Sequence, residues 1–402
     1  MPDNSSPSPR ALPDRPNLRH LKDEAKQLLR EGHASSLAEA QLRVAQQYGF
    51  ASWPRLKQHV DSAHETGMLK HAIDSNDFAA VRTLMMRNPE LHRAPLGYGK
   101  NGPLTWVAEC RIPWEPPGPA RLAMAQWMID NGSDVHQGGG GPLMRAALRD
   151  DRIPMMELLV RNGADVNAEW SGRFPILFAP CETLAPLALK WLLDHGADPQ
   201  LPTNRGHESP LDYVIGTYSR SVLQAQCIKL LMDAGCPARR NVPPVLELMR
   251  GRLDRLGEMI DSDPALVHRR FPELDFGSTA YRRLTLRGAT LLHVAAEYGN
   301  VKAAQMLLGR GADPNARADV DADGVGGQTP LFHAASQFFD YGLEVVKFLV
   351  GAGADLNLRV RLPGHYEAPD EFVDCTALGY ARRFPGPDTA SVAFLRTAGA
   401  AE

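Results

Sequence analysis

Residues 287–315 read RGATLLHVAAEYGNVKAAQMLLGRGADPN. Thr290, Leu292, His293 and the pair Ala295–Ala296 mark a first short helix. Gly299-Asn300 breaks it. Val301 to Gly309 predicts a second helix, with apolar Val301, Ala304, Met306, Leu307 and Leu308. Gly311 follows, and a glycine just past a helix end can take the left-handed conformation that caps it. The unit is therefore a helix pair closed by a Gly-Ala-Asp turn.

Weaker copies of the closing turn occur at Gly132, Gly163, Gly196, Gly235, Gly311, Gly353 and Gly399, at spacings of 31, 33, 39, 76, 42 and 46. The gap of 76 holds two units, because 244–270 carries a degenerate copy, VLELMRGRLDRLGEMIDSDPALVHR within it. That copy matches the first unit, LKHAIDSNDFAAVRTLMMRNPELHR. Both end in a Pro-x-Leu loop, Pro89-Glu90-Leu91 or Pro264-Ala265-Leu266. The T-x-L-H-x-A frame of Thr290–Ala295 resembles the T-P-L-H-x-A of an ankyrin repeat, with Leu291 in place of the proline. The expected fold is all-α, an ankyrin-repeat solenoid of about nine helix-pair units with long finger loops in the last third, plus a small three-helix N-terminal cap. The resemblance covers roughly residues 65–402.

The cap is read from residues 17–64. Asn17, Ser36 and Ser52 are N-cap candidates for three helices carrying Leu21, Ala25 and Leu28, then Ala40 and Val44, then Leu56, Val60 and Ala63. Ser36 and Glu39 have capping-box spacing. The NLxxLKxxAKxLL opening and YGFxSWPxLKxHV close resemble a helical piece found on some bacterial ankyrin proteins and beside certain glyoxalase-like proteins. Residues 1–16 are Pro- and Ser-containing and are expected to be a disordered lead-in. From Arg10 to Arg30 six basic and three acidic residues leave a net of 6 − 3 = +3. A DNA-binding helix-turn-helix is one reading of that charge. A solvated face of a capping domain is the other, and interruption by Asp14, Asp23 and Glu24 favours it.

The 402 residues carry a formal charge of −3, which gives no global attraction to nucleic acid. No apolar run reaches the roughly 18 residues of a membrane span, and the N-terminus has no apolar signal core. Cys110, Cys181, Cys227, Cys236 and Cys375 are scattered and never form C-x-x-C, so reduced thiols in a cytoplasmic protein are expected. No P-loop, dinucleotide fingerprint, G-x-S-x-G or HExxH occurs, and no cofactor, metal or catalytic residue is expected.

Extra length maps to loops in such arrays. One insertion is at 112–120, and the long connections are 271–289, 314–329 and 356–375. The resemblance implies that these project as fingers beside a concave surface. His293 is expected to make structural hydrogen bonds. His333 falls one position later in its own repeat, in a series with Trp106, Arg145, Phe178, Tyr213, Val294 and Tyr380 that reads first as packing between repeats. The residues after the paired alanines, Glu297 and Tyr298, Ser336 and Gln337, Arg383 and Phe384, are surface candidates. Phe338, Phe339 and Tyr341 either form an exposed patch or pack under the fingers. Arg359 and Arg361 face Asp370, Glu371 and Asp374 across Pro363-Gly364, which predicts a hairpin. Asp319, Asp321 and Asp323 before Gly324 open like a calcium loop, but Pro330 stands where its glutamate belongs. The expected function is a protein-binding scaffold whose unidentified partner meets Tyr298, His333, Gln337, Arg361, His365, Tyr366, Glu367, Arg383 and Phe384. The alternative is an enzyme or small-molecule receptor with a pocket between fingers 271–289 and 356–375, ringed by His333, Arg361, His365, Glu367 and Arg383.

Overall fold

The computed structural model describes residues 10–13, 16–96, 101–109, 115–170, 174–201, 209–216, 220–239, 241–274, 282–365, 367–368 and 370–402. Cys110, the start of the 112–120 insertion, residues 275–281 of the first finger and Tyr366 lie outside these. Two compact units divide the chain: Met1–Ala146 with Pro154–Ala164, and Ala147–Ile153 with Asp165–Glu402.

The first unit begins with α1 (Leu18–Arg30), α2 (Leu37–Gln47) and α3 (Trp53–Asp74). Asn17 accepts from the Arg19 N–H at 2.8 Å and Ser36 from the Glu39 N–H at 3.2 Å. Glu39 reaches back one residue further than a standard capping box, to the Ser35 N–H at 2.8 Å. Leu21, Ala25, Ala40, Val44, Ala45, Leu56 and Val60 form a core of their own. Two expectations change here. Arg10, placed in the lead-in, donates its backbone N–H to Gln47 O at 2.7 Å and lays its guanidinium over the Tyr48 ring at 5.3 Å. The boundary placed between 64 and 65 falls inside α3, which runs unbroken through Gly67 to Asp74, with no proline after Pro54. Its C-terminal half buries Leu69 and Ile73 and pairs with α4 (Phe78–Arg87). The pairs α5 (Pro103–Glu109) with α6 (Pro119–Asp130), and α7 (Gln137–Ala146) with α8 (Ile153–Arg161), complete this unit.

The second unit continues the pattern with α9 (Phe178–Thr183) and α10 (Pro186–Asp194), α11 (Pro210–Gly216) and α12 (Val222–Asp233), and α13 (Pro243–Met249) and α14 (Leu253–Ser262). Then come α15 (Leu291–Glu297) and α16 (Val301–Gly309), α17 (Pro330–Ala335) and α18 (Leu343–Gly351), and α19 (Ala377–Arg383) and α20 (Ala390–Thr397). Nine helix pairs are thus present among the described residues, the first using the second half of α3. The degenerate pair is real: Asn88 and Asp263 each cap the short turn that follows, accepting from the Glu90 and Ala265 N–H groups at 3.2 Å.

Repetition builds the core. All seven residues of α15 are buried, and α13, α15, α17 and α19 pack successively, with α16, α18 and α20 behind them. Seven of the nine pairs stop at a glycine with positive φ, at Gly132, Gly163, Gly196, Gly235, Gly311, Gly353 and Gly399: Gly163 and Gly311 have φ of +94° and +86°, and no atom lies within 4 Å of where a Cβ would sit. Backbone conformation alone therefore selects glycine there. Short two-stranded sheets decorate the helices: β1 (Glu169–Trp170) with β2 (Phe174–Pro175), and β3 (Val360–Pro363) with β4 (Phe372–Cys375), both antiparallel.

Candidate functional site

The long connections of the last repeats are joined edge to edge. The Asp319 N–H donates to Arg287 O at 3.1 Å, tying the second finger to the first. The Gly326 N–H donates to Arg361 O at 2.9 Å, tying it to β3. Arg282 of the first finger bridges His365 of the third. The second finger closes on itself through Ala318 N–H to Gln328 O and Gly327 N–H to Asp319 O, both 3.0 Å. Peptide hydrogen bonds that a loop would leave to water thus lock three fingers into one wall.

The calcium-like sequence is the tip of this second finger. Asp321 Oδ1 accepts from the Asp323 and Val325 N–H groups at 3.0 and 2.9 Å, while Asp319 pairs with Arg270 at 2.5 Å. The aspartates shape a turn, and no cluster of three metal-ligating side chains occurs among the described residues.

Under the wall lies a closed network of charge. Glu297, at the end of α15, is fully buried. Its carboxylate accepts from Arg282 Nη2 at 3.1 and 3.2 Å, from Arg220 Nε at 3.2 Å and from His333 Nδ1 at 2.8 Å. The side chains of Arg220 and Arg282 are 4% and 2% exposed. Burial alone would raise the Glu297 pKa, yet Arg282, His333 and Arg220 hold it down at about 2. Arg282 also donates to Ser336 Oγ, which donates to Phe332 O at 2.6 Å. Gln337 Nε2 donates to Glu297 O and His333 O at 2.8 and 2.9 Å, and Tyr298 Oη donates to Ile215 O at 2.8 Å beneath the Arg220 guanidinium. One carboxylate therefore fastens the first finger, α15, α17 and the segment preceding α12.

Both histidines here are neutral. The Thr290 N–H donates to His293 Nδ1 at 3.1 Å, so Nε2 carries the proton and donates to Gln328 O at 3.1 Å. Burial pushes His293 down to about 3. A carboxylate only accepts, so His333 Nδ1 carries its proton; burial depresses its pKa against the pull of Glu297.

These positions correct the surface expectation. Tyr298, His333, Gln337 and Phe384 are 7%, 0%, 2% and 3% exposed, because each sits where consecutive inner helices and the fingers close over one another. They hold the surface in place and do not present themselves to a partner. Glu297 and Ser336, also expected outside, are fully buried. Arg361, Glu367 and Arg383 are exposed and His365 is half-buried. Arg361 pairs in register with Asp374, as the hairpin expectation requires, but its guanidinium lies 5.1 Å over the Phe372 ring. His365 stacks on Phe384 at 6.2 Å and stands 3.6 Å from Glu367, and Arg383 pairs with Glu371 at 2.5 Å. The Arg282 and Arg220 roles were missed, because neither belongs to the repeat frame. A polar pair, Glu297 and His333, at inner-helix positions of adjacent repeats was the available signal.

A cleft of about 590 Å³ opens between the fingers, lined among others by Arg287, Leu284, Val320, Gln328 and Leu362. It lies where the alternative reading put a pocket, but His333, Arg361, His365, Glu367 and Arg383 are not in its walls.

Residues 273–360 match the family described as Ankyrin repeats (3 copies), and residues 138–170 match Ankyrin repeat. These two segments carry ankyrin repeats. The three-copy match takes in α15 to α18, two of the fingers and the Glu297 network except Arg220 and Ile215. The mouse protein "Ankyrin repeat domain-containing protein SOWAHD" is 31% identical over 144 residues, 35% of this chain. The chain spans 39% of that protein's length. Among the described residues no helix is long and apolar enough to cross a membrane.

Proposed function

We propose that this ankyrin-repeat protein is a scaffold that holds a protein partner on the finger wall of its last repeats. Ankyrin repeats generally mediate protein–protein interaction, and the three-copy match takes in the first two fingers of the wall. The observation that carries the reading is the Glu297 network. It fastens the first finger, two inner helices and the segment preceding α12 without exposing a reactive group, which suits preorganised recognition, where rigidity lowers the ordering cost of binding. Arg361, His365, Glu367 and Arg383 offer charge and aromatic-stacked surface on that wall, the composition in which binding energy concentrates. Buried, free Cys181, Cys227, Cys236 and Cys375 support a cytoplasmic setting.

Affinity capture from the native host lysate tests the proposal. Wild type is compared with Arg361→Ala/His365→Ala/Tyr366→Ala. A protein retained by wild type and lost by the variant is the expected result; retention by both moves the site off the third finger.

The finger cleft favours a second reading, a small-molecule receptor, since its volume falls in the ligand-site range. A bound small molecule on wild type in native mass spectrometry, with no protein captured, selects it.

A further inference from the structure

We propose that the finger cleft binds an extended acidic peptide segment, with Gln328 Oε1 accepting a peptide N–H and Arg287 meeting a carboxylate. The inference rests on the protein-partner reading and names the chemistry of that partner's contact.

Gln328 carries the first half. It is 2% exposed, lines the cleft and is pinned on every side but one. Its backbone oxygen accepts from the Ala318 N–H and from His293 Nε2. Its side-chain Nε2 donates to Thr285 O at 2.7 Å. The remaining atom, Oε1, is buried with no hydrogen-bond partner. Turning the amide over does not help, because it would set oxygen against the Thr285 carbonyl oxygen. A buried acceptor left unmet costs about 1–3 kcal/mol, and native proteins satisfy nearly all such groups. Among the cleft-lining residues this is the unsatisfied buried side-chain atom, so the missing partner is a donor supplied through the cleft.

Charge carries the second half. Asp319 is neutralised by Arg270, and Asp321 turns one oxygen to the Asp323 and Val325 amides. Arg287 is exposed and makes no ion pair among the described residues. An uncharged N–H donor therefore suits Gln328, and an anion suits Arg287. A peptide with an acidic side chain supplies both. Leu284, Val320 and Leu362 line the same space and take apolar side chains. An occupant touching Arg287, Gln328 and Leu362 together reaches all three fingers, which an extended chain does and a lone small anion does not.

The test uses the full chain and a displayed random-peptide library. Enriched peptides are synthesised with a fluorescent label and titrated by anisotropy against wild type, Arg287→Glu and Gln328→Leu. The expected result is an acidic consensus whose affinity falls about tenfold in Arg287→Glu, the loss of one charge-assisted contact. Gln328→Leu weakens the same peptides while its circular-dichroism melt stays near that of wild type. If Gln328→Leu does not fold, the exposed Arg287→Glu decides alone. A basic or uncharged consensus, equal binding by Arg287→Glu, or no enriched peptide overturns the proposal. A lysate partner that binds Arg287→Glu as well as wild type also overturns the cleft, yet leaves the scaffold reading standing. Failure of both experiments removes both.

Discussion

Glu297 Oε2 and His333 Nδ1 are 2.8 Å apart on consecutive inner helices, and neither side chain has any exposed surface. His333 is neutral, so the ion pairs are those of Glu297 with Arg282 and Arg220; at an effective dielectric near 20 a charged contact is worth about 4 kcal/mol at 4 Å, and removing each ion from water costs several kcal/mol. The network therefore gives little net stability but makes every alternative arrangement expensive. Replacing Glu297 leaves Arg282 and Arg220 facing each other without a counter-ion. Glu297→Ala and Glu297→Gln should each lose about 3–5 kcal/mol in urea unfolding. A loss under about 1 kcal/mol would mean that water reaches the network.

Acid should loosen these repeats before carboxylates titrate. His293 is held neutral down to about 3 by burial, and His333 is shifted the same way. The unfolded chain protonates both near pH 6.5 and so binds more protons below that value. Stability therefore rises with pH across this window and falls as pH drops from about 6.5, by up to roughly 1.4 kcal/mol per pH unit for each histidine. Glu297, depressed to about 2, has the same sign: its contribution is full above its unfolded value and is lost toward pH 2. Urea midpoints at neutral and mildly acidic pH check this. His293→Gln should flatten the slope in the mildly acidic range; an unchanged slope would place the lability elsewhere.

Two glycines should respond to alanine for different reasons. At Gly311 space is open, so Gly311→Ala costs only the left-handed backbone, about 1–2 kcal/mol, and Gly311→Asn costs less. Gly342 has an ordinary negative φ, but its Cβ would stand 2.0 Å from the Ala334 carbonyl oxygen. Gly342→Ala and Gly342→Asn should therefore be equally damaging, since no backbone conformation removes the contact. Thermal melts of the four variants separate strain from collision.

The repeat frame was legible because it is local. Thr290, His293, Gly299 and Gly311 act on neighbours within a turn or two, and their spacing predicts α15, α16 and the cap that follows. The N-caps Asn17, Ser36 and Ser52 were legible for the same reason. The site was not legible, because its decisive contacts cross repeats: Arg282 to Glu297 spans 15 positions, His333 to Glu297 36 and Arg220 to Glu297 77. Polarity at Glu297, Tyr298 and Gln337 pointed outward on the repeat pattern, and only the partners facing them make burial tolerable. The three fingers were recognisable as excess length, while their lateral pairing depends on backbone groups that carry no residue signature.

The turn between α17 and α18 has seven residues, Ser336–Gly342, where that between α15 and α16 has three. The added segment puts Phe339 and Asp340 at φ of +55°, and Phe339 is 99% exposed. Asp340 repays its backbone cost: its two carboxylate oxygens accept from the Ala390 and Ser391 N–H groups at 2.9 Å, capping α20. Asp340→Ala should lose about 1–2 kcal/mol. Phe339 has no such return, since its ring buries nothing. Asparagine tolerates the left-handed region better than phenylalanine. Phe339→Asn should therefore raise the unfolding free energy by about 0.5–1 kcal/mol, with Asp340→Ala moving oppositely in the same urea series. A destabilised Phe339→Asn would mean that the ring packs against the protein in solution.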